Sequence, residues 1–173
     1  EMECIVFADT RVAPAPVNAP YRLVDIQGGG FGAASRSLAF HACWEVMDQF
    51  KPDVVYMRYP MYDGHVLRFL QEAPPVVFEL QTIFKNEVPV QVAEFEQSWA
   101  TRVLPKAAGL VAVTNEILEY ETNRAQWAIP GMVMPNGADP HTIPFTTPAL
   151  APGRVDLLCV ASFHPWHGID RLL

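Results

Sequence analysis

The order of apolar and polar residues predicts alternating strands and helices from about residue 51 onward. Short β-branched and aromatic runs bounded by Pro or Gly indicate strands, and apolar residues at three- and four-residue spacing indicate amphipathic helices. The predicted strands are residues 54–59, 76–80, 109–114 and 132–134. The predicted helices between them are residues 63–73, 91–108 and 116–124. This alternation predicts an α/β fold with a Rossmann-like parallel sheet that helices cover on both faces.

Each predicted helix has an apolar stripe, and two have polar residues suited to cap their first turn. Asp63 and Asn115 are the expected N-caps. The stripe of the first helix is Val66, Leu67 and Leu70, and that of the second is Val92, Phe95, Trp99 and Val103. The second helix is expected to end through Pro105 at Gly109. The core, rather than a ligand site, is the expected place for Trp44, Trp99 and Trp127.

The first fifty residues give a weaker pattern. Residues 4–8 and 21–26 are candidate strands, and Ser35–Phe50 is a predicted helix. Its expected apolar line consists of Leu38, Ala42, Val46 and Phe50. The glycine-rich segment Q-G-G-G-F-G-A separates the second candidate strand from this helix.

The chain is expected to contain one domain and the start of another. Residues 1–139 form the predicted Rossmann-like domain. Four of the fourteen residues from Pro140 to Gly153 are Pro, so residues 140–154 are interpreted as an interdomain linker. Residues 155–173 begin with an apolar strand whose neighbours do not follow, which indicates the start of a second domain.

Composition restricts the possible classes of protein. Half of the residues are apolar and 18% are charged, as in soluble globular proteins, and no apolar run is long enough for a transmembrane segment. The net charge of -7 argues against nucleic-acid binding. The chain shows no signal peptide, and it begins without Met, so the natural N-terminus is expected to lie upstream. The widely spaced Cys4, Cys43 and Cys159 are expected to be buried and reduced, which indicates a cytoplasmic protein without disulfides or a cysteine-based metal site.

Candidate site residues follow directly after the predicted strands, because ligands of open parallel sheets bind outside the carboxyl ends of the strands. They are Arg58, Tyr59, Gln81, Thr82, Thr114, Asn115 and residues 136–139. Simpler roles stay open for some of them. Arg58 could form a surface salt bridge with Asp63 or Glu79, and Glu79, inside a strand, needs a partner. Asn136 and Gly137 could form a plain turn in which Gly adopts positive φ.

Three motifs in a fixed order resemble the family 4 glycosyltransferases, which have the two-domain GT-B fold. They are A-A-G-L-V-A-V-T-N-E (107–116), M-P-N-G-A-D (134–139) and V-A-S-F-H-P-W-H-G-I-D-R-L-L (160–173). The segment D-V-V-Y-M-R-Y-P resembles the branch associated with bacterial surface polysaccharides. The resemblance covers the chain from about residue 51 to its end.

The resemblance implies a retaining transfer of sugar from a nucleotide-activated donor to a glycan or lipid-linked acceptor. The first domain would hold the acceptor, with Arg58, Thr82 and Asn115 as substrate-binding residues and with Asn136 and Gly137 as the hinge and the floor of the substrate cleft. In the family, Gln81 falls where many members carry a His that faces the reacting sugar. The protein would need no cofactor or metal and would be cytoplasmic, either free or peripheral at the inner face of the membrane.

On the donor side, the resemblance implies that Ser162, His164, His167 and Gly168 face the nucleotide diphosphate. Ser162 takes the position of the family's usual Arg, and His167 that of the usual Lys. A neighbouring diphosphate would favour the charged imidazolium of His167. His164 and His167 are not expected to bind a metal, because Pro165 separates them and no third ligand is near in sequence. Since the rest of the donor domain is missing, the isolated chain is expected to be inactive.

Two other functions remain open. Gly28, Gly30 and Ala33 satisfy the G-x-G-x-x-A fingerprint before a helix, and with Arg58 at a later strand end they fit an NADP-binding oxidoreductase. The third function is a non-catalytic α/β module whose Pro-rich tail docks onto a partner. The apolar strand from residue 155 argues against such a tail, because it would expose hydrophobic side chains to water.

Overall fold

Strands and helices alternate along the part of the chain that the structure, a computed structural model, describes: residues 3–8, 21–25, 33–60, 64–137, 139–141 and 143. The strands are β1 (Ile5–Ala8), β2 (Arg22–Asp25), β3 (Val55–Arg58), β4 (Val76–Leu80), β5 (Gly109–Ala112) and β6 (Gly131–Val133). The helices are α1 (Ala33–Phe50), α2 (Gly64–Glu72), α3 (Val90–Val103) and α4 (Asn115–Ala125). Two short 3-10 turns, Phe84–Asn86 and Leu104–Lys106, flank α3.

All strand pairs in the described residues are parallel. One sheet pairs β1 with β2, and the other has the strand order β3-β4-β5-β6. A helix follows each of β3, β4 and β5, so every step to the next strand passes through a crossover helix. The prediction of an α/β fold with a Rossmann-like, helix-flanked parallel sheet is confirmed. The expected cover on both faces is not found for the four-stranded sheet in the described residues, because the four described helices join the core on one of its faces.

The four strands predicted after residue 51 are all present, with small differences at their ends. Strand β4 matches its predicted bounds, whereas β5 ends at Ala112. The ladder continues one residue further, because the Val113 amide donates to the Leu80 carbonyl at 3.1 Å. Helix α3 ends at Val103, before Pro105, and the chain continues in the 3-10 turn. A Pro has no amide hydrogen for a continuing helix, so the predicted helical end at Gly109 was too long.

The core lies on one face of the four-stranded sheet. Residues paired in parallel register point to the same face, and Phe78 pairs with Met57 and Leu110. The buried side chains of this face contact buried residues of the three crossover helices, which are Val66, Phe69, Ala100, Val103 and Ile117. We call this side of the sheet, which carries Phe78, Met57 and Leu110, the helix-covered face. Helix α1 joins the same core through Phe40, whose ring lies 5.1 Å from that of Phe69.

Two predicted apolar stripes were displaced by one or two residues, although Val103 of α3 is buried as predicted. In α1, Leu38 is more than half exposed and Phe40 is buried instead. In α3, Phe95 is more than half exposed, and the buried positions are Glu96, Ala100 and Val103. The displaced stripes still have helical spacing, so the error concerns which side of each helix faces the sheet.

Other burial predictions had mixed outcomes. Trp44 packs against the core and Trp99 is half-buried, but Trp127 is 64% exposed, so its predicted core position was wrong. Cys4 is also exposed, whereas burial raises the pKa of the half-buried Cys43 thiol to about 11. Both of these cysteines are free thiols, and Cys159 lies outside the described residues.

Several sequence predictions fall on residues that the structure does not describe. These are the Asp63 cap, Gly28 and Gly30, most of the linker 140–154, and the segment 155–173. None of the described helices is both long and apolar enough to cross a membrane.

Candidate functional site

The parallel strands bring the predicted site residues to one edge of the four-stranded sheet. Arg58 ends β3, Gln81 and Thr82 follow β4, Asn115 begins α4 after β5, and Asn136 follows β6. Because parallel strands end at the same side, these residues lie along what we call the carboxyl edge. The prediction that these residues lie at neighbouring strand ends is confirmed, and their role in binding stays a prediction.

Arg58, Glu79 and Gln81 share the face opposite the core. Arg58 and Glu79 are partners in the register of β3 and β4. The Gln81 amide nitrogen donates to the Glu79 carboxylate, with 2.8 Å between Nε2 and Oε1. Glu79 therefore has the partner that its position in a strand required, and Gln81 is oriented with its amide oxygen available as an acceptor. Arg58 is exposed beside this pair.

The loop after β4 is closed by a second polar contact. The Thr82 hydroxyl donates to the Glu87 carboxylate, with 2.5 Å between Oγ1 and Oε1. The 3-10 turn Phe84–Asn86 lies between these two residues. The contact is exposed, and it holds the Thr82 hydroxyl oxygen near the carboxyl edge, where it can still accept a hydrogen bond.

The first turn of α4 is capped by Thr114 rather than by the predicted Asn115. Thr114 has extended backbone angles, and its hydroxyl oxygen accepts from the Ile117 amide at 3.3 Å. Thr is a good N-cap because a short side chain can reach an amide that has no partner inside the helix. The side chain of Asn115 is consequently not used as the cap and is exposed at the edge.

Asn136 and Gly137 are exposed after β6, but they do not form the predicted turn. Gly137 does not adopt a left-handed φ, and a Cβ added there would meet no atom within 4 Å. Neither backbone conformation nor lack of space explains a glycine at this position.

A buried polar cluster that was not predicted from the sequence lies between the end of β3 and helices α3 and α4. We call Tyr59, Glu96, Glu121 and Arg124 the buried cluster. Only 2% of Glu96, 1% of Glu121 and 6% of Arg124 is exposed. The Tyr59 hydroxyl donates to Glu96 Oε1 at 2.5 Å, which links the end of β3 to α3. Arg124 Nε donates to Glu121 Oε2 at 2.8 Å, and Nη2 lies 2.7 Å from the same oxygen.

Aromatic rings enclose the guanidinium of the buried cluster. Arg124 Cζ lies 5.6 Å from the ring centre of Tyr59 and 6.0 Å from that of Tyr120. Lys85 lies on the same Tyr120 ring, with Nζ 4.8 Å from its centre. Arg124 Nη2 makes no well-aligned hydrogen bond despite its short distance to Glu121. The guanidinium is therefore held by one carboxylate and two aromatic faces.

Burial shifts the ionisation of this cluster. It raises the pKa of Glu121, although Arg124 pulls in the opposite direction. Burial and the Glu96 carboxylate together raise the pKa of Tyr59, so its hydroxyl stays protonated as the donor to Glu96. For Arg124, burial alone would lower the pKa, but Glu121, Tyr59 and Glu96 outweigh it and hold the pKa above its ordinary value. The cluster thus contains a permanently charged Arg and serves to fix α3, α4 and β3 to one another.

One sequence signal could have indicated this cluster. Glu96 follows Val92 by four residues and precedes Val103 by seven, so it lies on the apolar side of α3. On α4, Glu121 and Arg124 follow the buried Ile117 by four and seven residues, so they also lie on the apolar side of their helix. Ionisable residues on an apolar stripe indicate a buried ion pair, because an isolated buried charge is too costly.

The remaining predicted site residues cannot be placed. Ser162, His164, His167 and Gly168 lie outside the described residues. Within the described part of the chain, no group of three or more His, Cys, Asp or Glu side chains is suitable for a metal ion.

Comparison of the chain with models of known protein families, with curated proteins and with solved structures gives no match.

Proposed function

We propose that the chain is the acceptor-side part of a retaining glycosyltransferase that uses a nucleotide-activated sugar. The observation that supports this role best is the carboxyl edge of the four-stranded sheet. It brings the amides and hydroxyls of Gln81, Thr82, Asn115 and Asn136 to neighbouring strand ends. The sequence resemblance to family 4 glycosyltransferases supplies the reaction class.

The side chains of this edge suit a hydroxyl-rich acceptor better than a diphosphate. A sugar hydroxyl both donates and accepts hydrogen bonds, as amide, hydroxyl and carboxylate groups can match. A diphosphate instead needs cations or several free backbone amides. The edge offers the cation Arg58 near the carboxylate of Glu79, and Glu87 adds a second negative charge. These acids would repel a diphosphate, so we assign the donor to Ser162, His164, His167 and Gly168.

Gln81 is the central residue of the proposed acceptor site. Its hydrogen bond to Glu79 orients the amide, which leaves Oε1 to accept from a hydroxyl near the reacting sugar. Thr82 and Asn115 would bind further hydroxyls, and Asn136 and Gly137 would form the far side of the site. His167 would stabilise the departing diphosphate. Neither a metal nor a cofactor is required in this scheme.

Saturation-transfer NMR with a panel of neutral and acidic oligosaccharides tests the acceptor role. We expect binding to the chain that weakens several-fold in Gln81→Ala and Asn136→Ala. Asn123→Ala is the matched amide control, because Asn123 is exposed near the end of α4, away from the carboxyl edge. If no oligosaccharide binds, or if all three variants bind equally well, the acceptor site is not at this edge.

One observation favours the NADP alternative as a second candidate. β2 ends at Asp25 and α1 begins at Ala33, so the glycine-rich segment joins a strand to a helix as the dinucleotide fingerprint requires. A tryptophan-fluorescence titration with NADPH, beside UDP- and GDP-sugars, separates the two. Saturable NADPH binding would replace the glycosyltransferase proposal, whereas its absence is the expected result.

A further inference from the structure

A cleft at the opposite edge of the sheet is independent of the proposed acceptor site. Its lining includes Leu67 and Gln71 of α2, Thr101 and Arg102 of α3, and Lys106 and Trp127. Each of these segments lies shortly before the start of β4, β5 or β6, so the cleft is at the amino ends of the strands. Its volume is about 480 Å³. We call it the Trp127 cleft.

The Trp127 cleft is positively charged on a protein of net charge -7. Its cations are Arg102 and Lys106, and neither forms an ion pair with any residue that the structure describes. The Arg102 guanidinium instead lies on the Trp99 ring, with Cζ 4.7 Å from the ring centre. Stacking on a ring leaves the donors at the edge of a guanidinium free to bind a carboxylate in a bidentate manner.

Trp127 gives the cleft an apolar wall, although its side chain is largely exposed and follows a residue with left-handed backbone angles. Its side chain is 64% exposed, although burying an indole would remove a large apolar area from water. The preceding Gln126 adopts left-handed backbone angles, φ 54° and ψ 28°, a conformation that usually favours Gly at a helix end. A non-Gly residue in this region carries strain, and such strain is often found where a neighbouring side chain has a function.

The open shape of the cleft favours an extended chain over a small ligand. Small ligands are typically enclosed over most of their surface, whereas this cleft is a surface groove between helix ends. Exposed Trp and Arg are the residue types that contribute most at protein interfaces. The hydroxyl of Thr101 and the amide of Gln71 could hydrogen-bond a peptide backbone in the same groove.

We propose that the Trp127 cleft binds an acidic segment of a partner protein. Carboxylates of the segment pair with Arg102 and Lys106, and an apolar side chain between them covers Trp127. The site is distinct from the carboxyl edge, so this interaction is independent of whether the protein transfers sugar. Since both cations are exposed, binding weakens as ionic strength rises.

The test uses an array of short peptides in which Asp or Glu flank a Leu, Phe or Trp at different spacings. The best peptide is then labelled, and its binding to the 173-residue chain is measured by fluorescence anisotropy. We expect saturable binding that weakens roughly tenfold in Arg102→Gln and in Trp127→Ala, as is common for residues that dominate an interface. The same peptide with Ser in place of its apolar residue, or with Lys in place of its acids, should not bind.

Two variants outside the cleft are compared with these. Lys85→Gln removes an exposed cation that also lies on an aromatic ring, and Phe95→Ala removes an exposed aromatic outside the cleft. Lys85→Gln should bind the peptide as the wild type does, whereas Phe95→Ala tests an indirect effect, because the Phe95 ring contacts Trp99, on which Arg102 lies. Circular dichroism checks that every variant is folded. Equal binding by wild type, Arg102→Gln and Trp127→Ala, or no binding to any peptide, would overturn the proposal.

Other occupants give different results. Saturable binding of inorganic phosphate or glucuronate at these residues, without peptide binding, would identify a small-anion site and overturn the partner segment. A dimer in sedimentation velocity that Arg102→Gln and Trp127→Ala both abolish would identify a second copy of this chain, and so also overturn a separate partner.

Discussion

The two faces of the four-stranded sheet differ in burial although both are rich in apolar residues. On the helix-covered face, Phe78 is fully buried, with 0% exposure. On the opposite face, Tyr56 of the adjacent strand is 51% exposed, and Val54 and Met132 are also more than half exposed. Glu79 and Gln81 of the candidate site lie on this second face. The stable scaffold and the candidate site are thus on opposite sides of the same strands.

Connectivity explains this division. Each step from β3 to β6 moves to the neighbouring strand in the same direction. Since crossovers between parallel strands are almost always right-handed, steps in one direction place their helices on one face. The opposite face receives no helix from these three crossovers. Its apolar side chains are therefore less protected, apart from Val111 of the inner strand β5, which is 9% exposed, and its strand ends are more accessible to a ligand.

The largest expected contrast is between Phe78→Ala and Tyr56→Ala. Removing the Phe78 ring leaves a cavity in the core, so the free energy of unfolding should fall by about 3–5 kcal/mol. Tyr56→Ala removes a ring that is already half in water and should cost less than about 1 kcal/mol. Urea unfolding followed by circular dichroism measures both. A similar loss in the two variants would mean that the faces do not differ as described.

The second contrast compares a buried ion pair with an exposed one. Arg124→Met leaves Glu121 buried without its cation, which should lower the free energy of unfolding by about 3 kcal/mol. Arg68→Met breaks the exposed Arg68–Glu72 pair of α2, 2.9 Å long, and should cost less than about 1 kcal/mol.

A double variant separates charge from packing in this contrast. Arg124→Met combined with Glu121→Leu removes both charges, and it should recover most of the stability lost in Arg124→Met. If the double variant is as unstable as the single one, Arg124 stabilises the fold through its packing on Tyr59 and Tyr120 rather than through its charge.

The sequence predicted the scaffold better than the surroundings of the site. Strand β4 was found with its bounds because a β-branched and aromatic run between Pro75 and a polar residue has few other interpretations. The residues of the carboxyl edge followed from connectivity alone, since any residue directly after a parallel strand reaches that edge.

The hydrogen bond between Tyr59 and Glu96 was not predicted because the two residues are 37 positions apart in the sequence. The spacing of Glu96 indicates the apolar side of α3, but it does not identify the donor that Glu96 meets there. The same reason explains the displaced stripe of α3, where Phe95 was expected inside. A choice between two adjacent helix positions depends on the neighbouring elements, and local periodicity does not contain that information.

The smallest expected effect is the dependence of the free energy of unfolding on pH. It concerns Glu121, a buried carboxyl group on the helix-covered side of the sheet. The pKa of Glu121 is raised by burial, and its neighbours in the buried cluster are Arg124, Glu96 and Tyr59. A carboxyl group with a raised pKa binds more protons in the folded state than in the unfolded state. Its contribution to stability is therefore present at acidic pH and is lost as pH rises from the ordinary glutamate value of 4.5 through the raised pKa.

The comparison of wild type with Glu121→Gln over this range measures the effect. Gln cannot ionise, so the free energy of unfolding of the wild type, minus that of the variant, should decrease with rising pH, by less than about 1.4 kcal/mol for each pH unit. Glu72→Gln, which changes the exposed carboxylate that pairs with Arg68, is the control for a surface position. A difference that increases with pH for Glu121→Gln would show that the attraction of Arg124 outweighs burial. The charged form of Glu121 would then be stabilised by Arg124 more than it is destabilised by burial.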